Sequence, residues 1–221
     1  MKYAVFVYAL TFAQTADAPK ARDPKRWEAA IQAFEQQDEN ARPPKEPILF
    51  VGSSSIRMWK LEKSFPDLPV LNRGFGGSVV ADTVYFADRI VTNYKPSVIV
   101  FYAGDNDIAE GKSPEQVRDD FQALAEIVGK ELPKTRLLFL SIKPSPSRLK
   151  FREKQKQANG LIQAYCRGRA NLVYIDSGEV LLSDGKPDPR LFLNDGLHMN
   201  AQGYEKWAKL LKPHLEAAKR E

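Results

Sequence analysis

Ile48-Leu49-Phe50-Val51 is an unbroken apolar run that stops at Gly52 and opens into Ser53-Ser54-Ser55. A strand with one wet face alternates apolar and polar residues. A strand apolar at every position is covered on both faces, which places it inside a parallel sheet. Parallel neighbours need crossover connections, so this one run commits the chain to an α/β architecture. It also puts three hydroxyls just past a strand's carboxyl end, where open α/β sheets hold their ligands.

The same signature recurs along the chain. Val98 to Ala103 and Leu137 to Ile142 are fully apolar strands, and Pro69 to Asn72 and Leu172 to Ile175 are shorter ones. Helical patterns separate them. Trp27, Ala30, Ile31 and Phe34 share a face from Pro24 to about Asp38, and Val80, Val84, Ala87, Val91 and Tyr94 form a stripe that Pro96 ends. Ser113-Pro114-Glu115-Gln116 is a capping box ahead of Val117, Phe121, Leu124 and Val128. A basic amphipathic helix is expected from about Leu149 to Cys166, and a closing helix carries Tyr204, Trp207, Leu211 and Leu215. Right-handed crossovers then give a doubly wound, three-layer αβα sandwich around a five-stranded parallel sheet. With strand order 2-1-3-4-5, the switch point falls between strands one and three, between Ser54 and Asn106.

The 221 residues suit one domain, read over 19–221, with no repeat or shift in composition to divide it. Lys and Arg exceed acids by a formal charge of +5 but are scattered, with no basic stripe beyond the run Lys150 to Lys156. That run alternates with apolar positions as a solvated helix face does, so nucleic acid is not an expected partner. Cys166 is the sole cysteine, and with only His198 and His214 beside it an ordinary zinc site would need carboxylates. No metal or cofactor is expected. Lys2, the apolar run from Tyr3 to Ala13 and the small-x-small Ala16-Asp17-Ala18 predict a signal peptide over 1–18, hence a secreted or periplasmic protein. The run is too short to span a membrane.

Chemistry-bearing residues cluster after the strands: Ser54 after the first, Gly74-Phe75-Gly76-Gly77 after the second, Asn106 after the third and His198 after the fifth. A parallel sheet brings these loops to one edge. The residue types suit acyl transfer, in which a serine hydroxyl needs a base within hydrogen-bond reach. His198 has Asp195 three residues earlier to orient its ring, whereas His214 lies far along the last helix. Backbone N–H groups at Ser54 and at the Gly76-Gly77 turn, with the Asn106 amide, are candidate oxyanion donors. Taken singly, each motif reads as a turn or a helix cap; only their joint placement points to a site.

Gly52-Ser53-Ser54-Ser55, Asn72-Arg73-Gly74-Phe75-Gly76-Gly77, Gly104-Asp105-Asn106-Asp107 and Asp195-Gly196-Leu197-His198 resemble, in order, the four blocks of the SGNH (GDSL-type) hydrolase family. The resemblance implies a flavodoxin-like fold and hydrolysis of acyl or acetyl esters of small molecules. It implies Ser54 as nucleophile, His198 as base and Asp195 as third member. The implied oxyanion hole is the Ser54 N–H, the Gly77 N–H and the Asn106 side chain. One departure stands out: the usual Gly-Asp-Ser is Gly52-Ser53-Ser54 here. Gly-x-Ser-x-Gly is absent, since Ile56 holds its last position, which argues against the α/β-hydrolase elbow. Acyl transfer to another alcohol fits the same residues. So does a catalytically idle carbohydrate- or lipid-binding domain, though binding alone needs no activated serine. Arg57, Arg73, Lys143 and Arg148 follow strands one, two and four and are candidates to border the crevice.

Overall fold

The computed structural model of the protein describes residues 22–217, so the predicted signal segment lies outside the described residues. Five parallel strands form the centre: β1 (Ile48–Gly52), β2 (Val70–Gly74), β3 (Val98–Tyr102), β4 (Arg136–Leu140) and β5 (Leu172–Ile175), in the order β2-β1-β3-β4-β5. This is the expected α/β fold and strand order.

The nine α-helices among the described residues are α1 (Glu28–Asn40), α2 (Ser54–Arg57), α3 (Leu61–Ser64), α4 (Val80–Tyr85), α5 (Ala87–Ile90), α6 (Asp105–Ala109), α7 (Pro114–Glu131), α8 (Arg152–Cys166) and α9 (Ala201–Ala217). Alternation of side chains along the strands splits the core into two halves. Leu49, Val51, Ile99, Phe101, Leu137 and Phe139 pack on one face with Ile31, Phe121 and Ile162 of the larger helical layer. Ile48, Phe50, Val98, Val100, Leu138 and Leu140 pack on the other with Trp59, Trp207, Leu211 and Leu215. Ser113 and Gln116 form their reciprocal cap at the start of α7.

Two helices differ from expectation. The stripe from Val80 to Tyr94 is not one helix: backbone at Phe86 (φ −100°, ψ 13°) and at Val91 (φ −125°, ψ −70°) breaks it into α4, α5 and a 3-10 turn. The bends bury Phe86, Ala87, Ile90 and Val91 together, more than one straight face would bury. Before α8, residues Pro146–Phe151 form a 3-10 turn rather than α-helix. Proline at 144 and 146 keeps the preceding backbone extended, and the turn is tied to a neighbouring loop described below.

Candidate active site

Ser54 occupies the first position of α2, directly after β1. Gly52 has φ +133°, and a Cβ there would meet the Tyr102 carbonyl oxygen at 2.0 Å, so only glycine permits the sharp exit from the strand. The exit is pinned on both sides. Ser53 N–H donates to Tyr102 O at 3.0 Å, and Phe75 N–H donates to Gly52 O at 2.9 Å. From α9, the Tyr204 hydroxyl donates to Ser55 O at 2.8 Å. Ser53 and Ser55 are buried, whereas Ser54 is half-exposed and faces the site. The structure thus distinguishes three serines that the sequence leaves side by side.

His198 reaches Ser54 across 144 residues of sequence: its Nε2 lies 3.0 Å from Ser54 Oγ. On the other side of the ring, Nδ1 lies 2.6 Å from Asp195 Oδ2. Asp195 Oδ1 also accepts from Leu197 N–H and His198 N–H, both at 2.9 Å. Burial pushes this carboxyl up, but the bonds from the His198 ring and from the two N–H groups outweigh it and hold it at about 2. An ionised carboxylate only accepts, so in the neutral ring Nδ1 carries the proton and Nε2 presents its lone pair toward Ser54. The loop closes on itself through Leu193 N–H donating to His198 O at 2.7 Å.

Asn106 lies on α6 at the end of β3. Its Nδ2 donates to Ser78 O at 3.1 Å, while its Oδ1 lies 3.5 Å from Arg148 Nη2. A Cβ at Gly77 would stand 3.6 Å from Asn106 Nδ2, so the glycine turn and this amide are neighbours. Beneath them Asp107 accepts from Val80 N–H and from Lys112 Nζ at 2.9 Å, joining α6 to the start of α4. The sequence-derived set therefore splits into one connected line, Ser54–His198–Asp195, and an adjacent pair, Gly77 and Asn106.

The four cations that follow the strands separate. Arg57 is exposed. Arg73 leaves the crevice altogether: it is buried in the helical layer, paired with Asp38 and bonded to the Tyr94 hydroxyl at 2.7 Å, because its strand position points away from the switch point. Lys143 is buried with its Nζ 3.8 Å from Asp105 Oδ2, and burial lowers its pKa against the pull of that carboxylate. Arg148 alone stands at the site. Two further positions carry no motif signal. Ser78 contributes its carbonyl, and Ser147 donates N–H and hydroxyl to Gly196 O, both at 3.0 Å.

Other nucleophile and base candidates are placed elsewhere. Cys166 is buried at the end of α8, and burial pushes its thiol up to about 11. His214 O accepts from Arg136, the first residue of β4, which sets His214 at the opposite edge of the sheet from Ser54. Away from the site, Lys60, Lys63, Lys209 and Lys212 surround a cavity of about 440 Å³ between α3 and α9, a basic cluster that a linear reading of charge does not see.

A model of the GDSL-like lipase/acylhydrolase family matches residues 52–206, from the end of β1 into α9. The chain belongs to that family. Its membership supports a hydrolase of the esterase type. Among relatives of known name, the chain is 24% identical over 189 residues to platelet-activating factor acetylhydrolase IB subunit alpha1 of Homo sapiens, covering 81% of this chain and 78% of that protein. Among solved structures it resembles a GDSL-like lipase from Bacteroides thetaiotaomicron, with TM-score 0.72 at 20% identity over 86% of this chain and 98% of that one. It also resembles an acetylxylan esterase from Geobacillus stearothermophilus, with TM-score 0.61 at 15% identity over 76% and 94% of the two chains. These structural likenesses establish the shared fold.

Proposed function

We propose that this member of the family hydrolyses acyl or acetyl esters through an acyl-enzyme formed on Ser54. The observation that carries the proposal is the continuous line from Ser54 Oγ through both nitrogens of His198 to Asp195, at 3.0 and 2.6 Å. In this scheme His198 Nε2 takes the hydroxyl proton as Oγ attacks the ester carbonyl carbon. The carbonyl oxygen becomes an oxyanion, held by the N–H groups of Ser54 and Gly77 and by the Asn106 amide. Collapse breaks the bond to the alcohol oxygen, which leaves with the proton from His198. Water then attacks the acyl-serine with His198 as base, releasing the acid and restoring Ser54. Asp195 keeps the ring in the required tautomer and stabilises the imidazolium.

The names of the human relative and of the acetylxylan esterase favour acetyl and other short acyl groups for this site. Residues 1–18 we read as an export signal, a proposal that N-terminal mass spectrometry of protein from the native host tests: a mature chain starting at Met1 would refute it. For the reaction itself, hydrolysis of para-nitrophenyl acetate is expected. Ser54→Ala and His198→Ala should each abolish it to a similar degree, because nucleophile and base act as a unit. Full activity in either variant would refute the scheme.

A further inference from the structure

Arg148 stands beside Asn106 with no carboxylate to answer its charge. Its Nη2 lies 3.5 Å from Asn106 Oδ1, the outer limit of a hydrogen bond, and among the described residues no Asp or Glu pairs with it. Arg26, Arg73, Arg89 and Arg190 each face a carboxylate. Lys143, the other cation beneath the site, is engaged with Asp105 and lies over the rings of Tyr102 and Phe192. A guanidinium has five donors and stays charged at any assay pH, so most of the donors of Arg148 are left over at the mouth of the site.

The backbone that carries Arg148 is also held in place. Its 3-10 turn is fixed to the His198 loop through Ser147 and Gly196, and Arg148 N–H donates to Ser145 O at 3.1 Å. The two joined segments carry Leu149, 50% exposed, and Leu193, 43% exposed, two of the three large exposed hydrophobic side chains among the described residues. A half-buried cation with no carboxylate partner, on segments that also expose apolar side chains, is a binding element for an anion attached to a hydrocarbon body.

We propose that Arg148 binds an anionic group, a carboxylate, phosphate or sulfate, carried by the ester itself, so that the site selects anionic esters over neutral ones. The proposal rests on the reading of Ser54 as the ester-cleaving nucleophile. Guanidinium and oxyanion meet through paired, charge-assisted hydrogen bonds, which fix orientation as well as adding affinity. Because Arg148 adjoins Asn106, the bound anion lies close to the scissile carbonyl.

Two matched substrate pairs test this. The leaving-group pair is para-acetoxybenzoate and its methyl ester. The acyl pair is mono-para-nitrophenyl succinate and para-nitrophenyl butyrate. The wild-type protein is expected to favour the anionic member of at least one pair, and the pair identifies which side of the ester carries the charge. Arg148→Gln should lower the ratio of kcat/KM, anionic over neutral, by roughly 10–100-fold, chiefly through KM. Arg148→Lys should keep part of the preference, since it keeps the charge and loses the fork. An unchanged ratio in both pairs overturns the proposal, even if all rates fall together, because Arg148 would then only support Asn106. Fluorophosphonate labelling of Ser54 separates the two levels. A labelled wild type with an unchanged ratio refutes the Arg148 proposal alone; a wild type that is neither labelled nor active removes the esterase reading and this proposal with it.

Discussion

The Ser147 N–H and hydroxyl both donate to the Gly196 carbonyl at 3.0 Å, which ties the turn that carries Arg148 to the loop that carries Asp195 and His198. Two segments 49 residues apart thus form one wall of the site. Ser147→Ala removes one of the two bonds, worth about 1 kcal/mol. The expected result is a fall in kcat of several-fold with little change in melting temperature. A matching loss of global stability would show the bond to be structural only.

Asn106 has two amide hydrogens. One goes to Ser78 O at 3.1 Å, which leaves the other for a developing oxyanion. Asn106→Ala should therefore lower kcat by roughly 10²–10³ with a smaller effect on KM, because the bond strengthens only in the transition state. Steady-state kinetics on an aryl acetate checks this. A rise in KM at constant kcat would place Asn106 in ground-state binding instead.

Asp195 orients His198 and does not titrate during the assay. With its carboxyl held at about 2, Asp195 is ionised at every pH at which activity is measured. A fall of kcat/KM on acidification within that range is therefore not a titration of Asp195. In Asp195→Asn the ring loses the carboxylate that orients it, so kcat should drop with a smaller effect on KM. An unchanged kcat would show that Asp195 does not support the base.

Asp107 ties stability to pH. It is buried under α4, and burial pushes its carboxyl up to about 6 against the pull of Lys112 and the Val80 N–H. The unfolded chain releases this proton near the reference value of about 3.9. Between the two values the folded state holds more protons, so the contribution of Asp107 is complete below about pH 4 and is lost as pH rises through about 6. Asp107→Asn cannot titrate. The stability of the wild type relative to this variant should thus decline by about 1–3 kcal/mol from pH 4 to pH 7. Urea melts at the two pH values measure it, and a constant difference would contradict the account.

What was legible in the sequence was whatever depends on short range. The apolar runs of β1, β3 and β4 need cover on both faces whatever surrounds them, so sheet type and layering follow directly. Ser54 and Asn106 were legible as strand-end residues because parallel topology sends every such end to one edge. His198 does not directly follow β5, since a short antiparallel pair, Leu182–Ser183 with Lys186–Pro187, comes between, and it was legible through its spacing from Asp195 instead. Other features depend on contacts between distant segments. The helix from Val80 breaks at Phe86 although neither proline nor glycine lies there; burial of Phe86 and Ile90 decides it. Arg73 looks like a crevice cation beside Gly74, yet Asp38 and Tyr94, from other helical segments, capture it in the interior. Ser147 acts through two bonds to the Gly196 carbonyl and Ser78 through its own carbonyl, and nothing in their own neighbourhood of sequence marks them.

The central claim is that one hydroxyl of the three adjacent serines is activated by His198. Mapping a fluorophosphonate adduct by peptide mass spectrometry tests it most directly. The account predicts the adduct on Ser54 in the wild type, in Ser53→Ala and in Ser55→Ala, and strongly slowed labelling in His198→Ala. An adduct on Ser53 or Ser55, or labelling of His198→Ala at the wild-type rate, would contradict it.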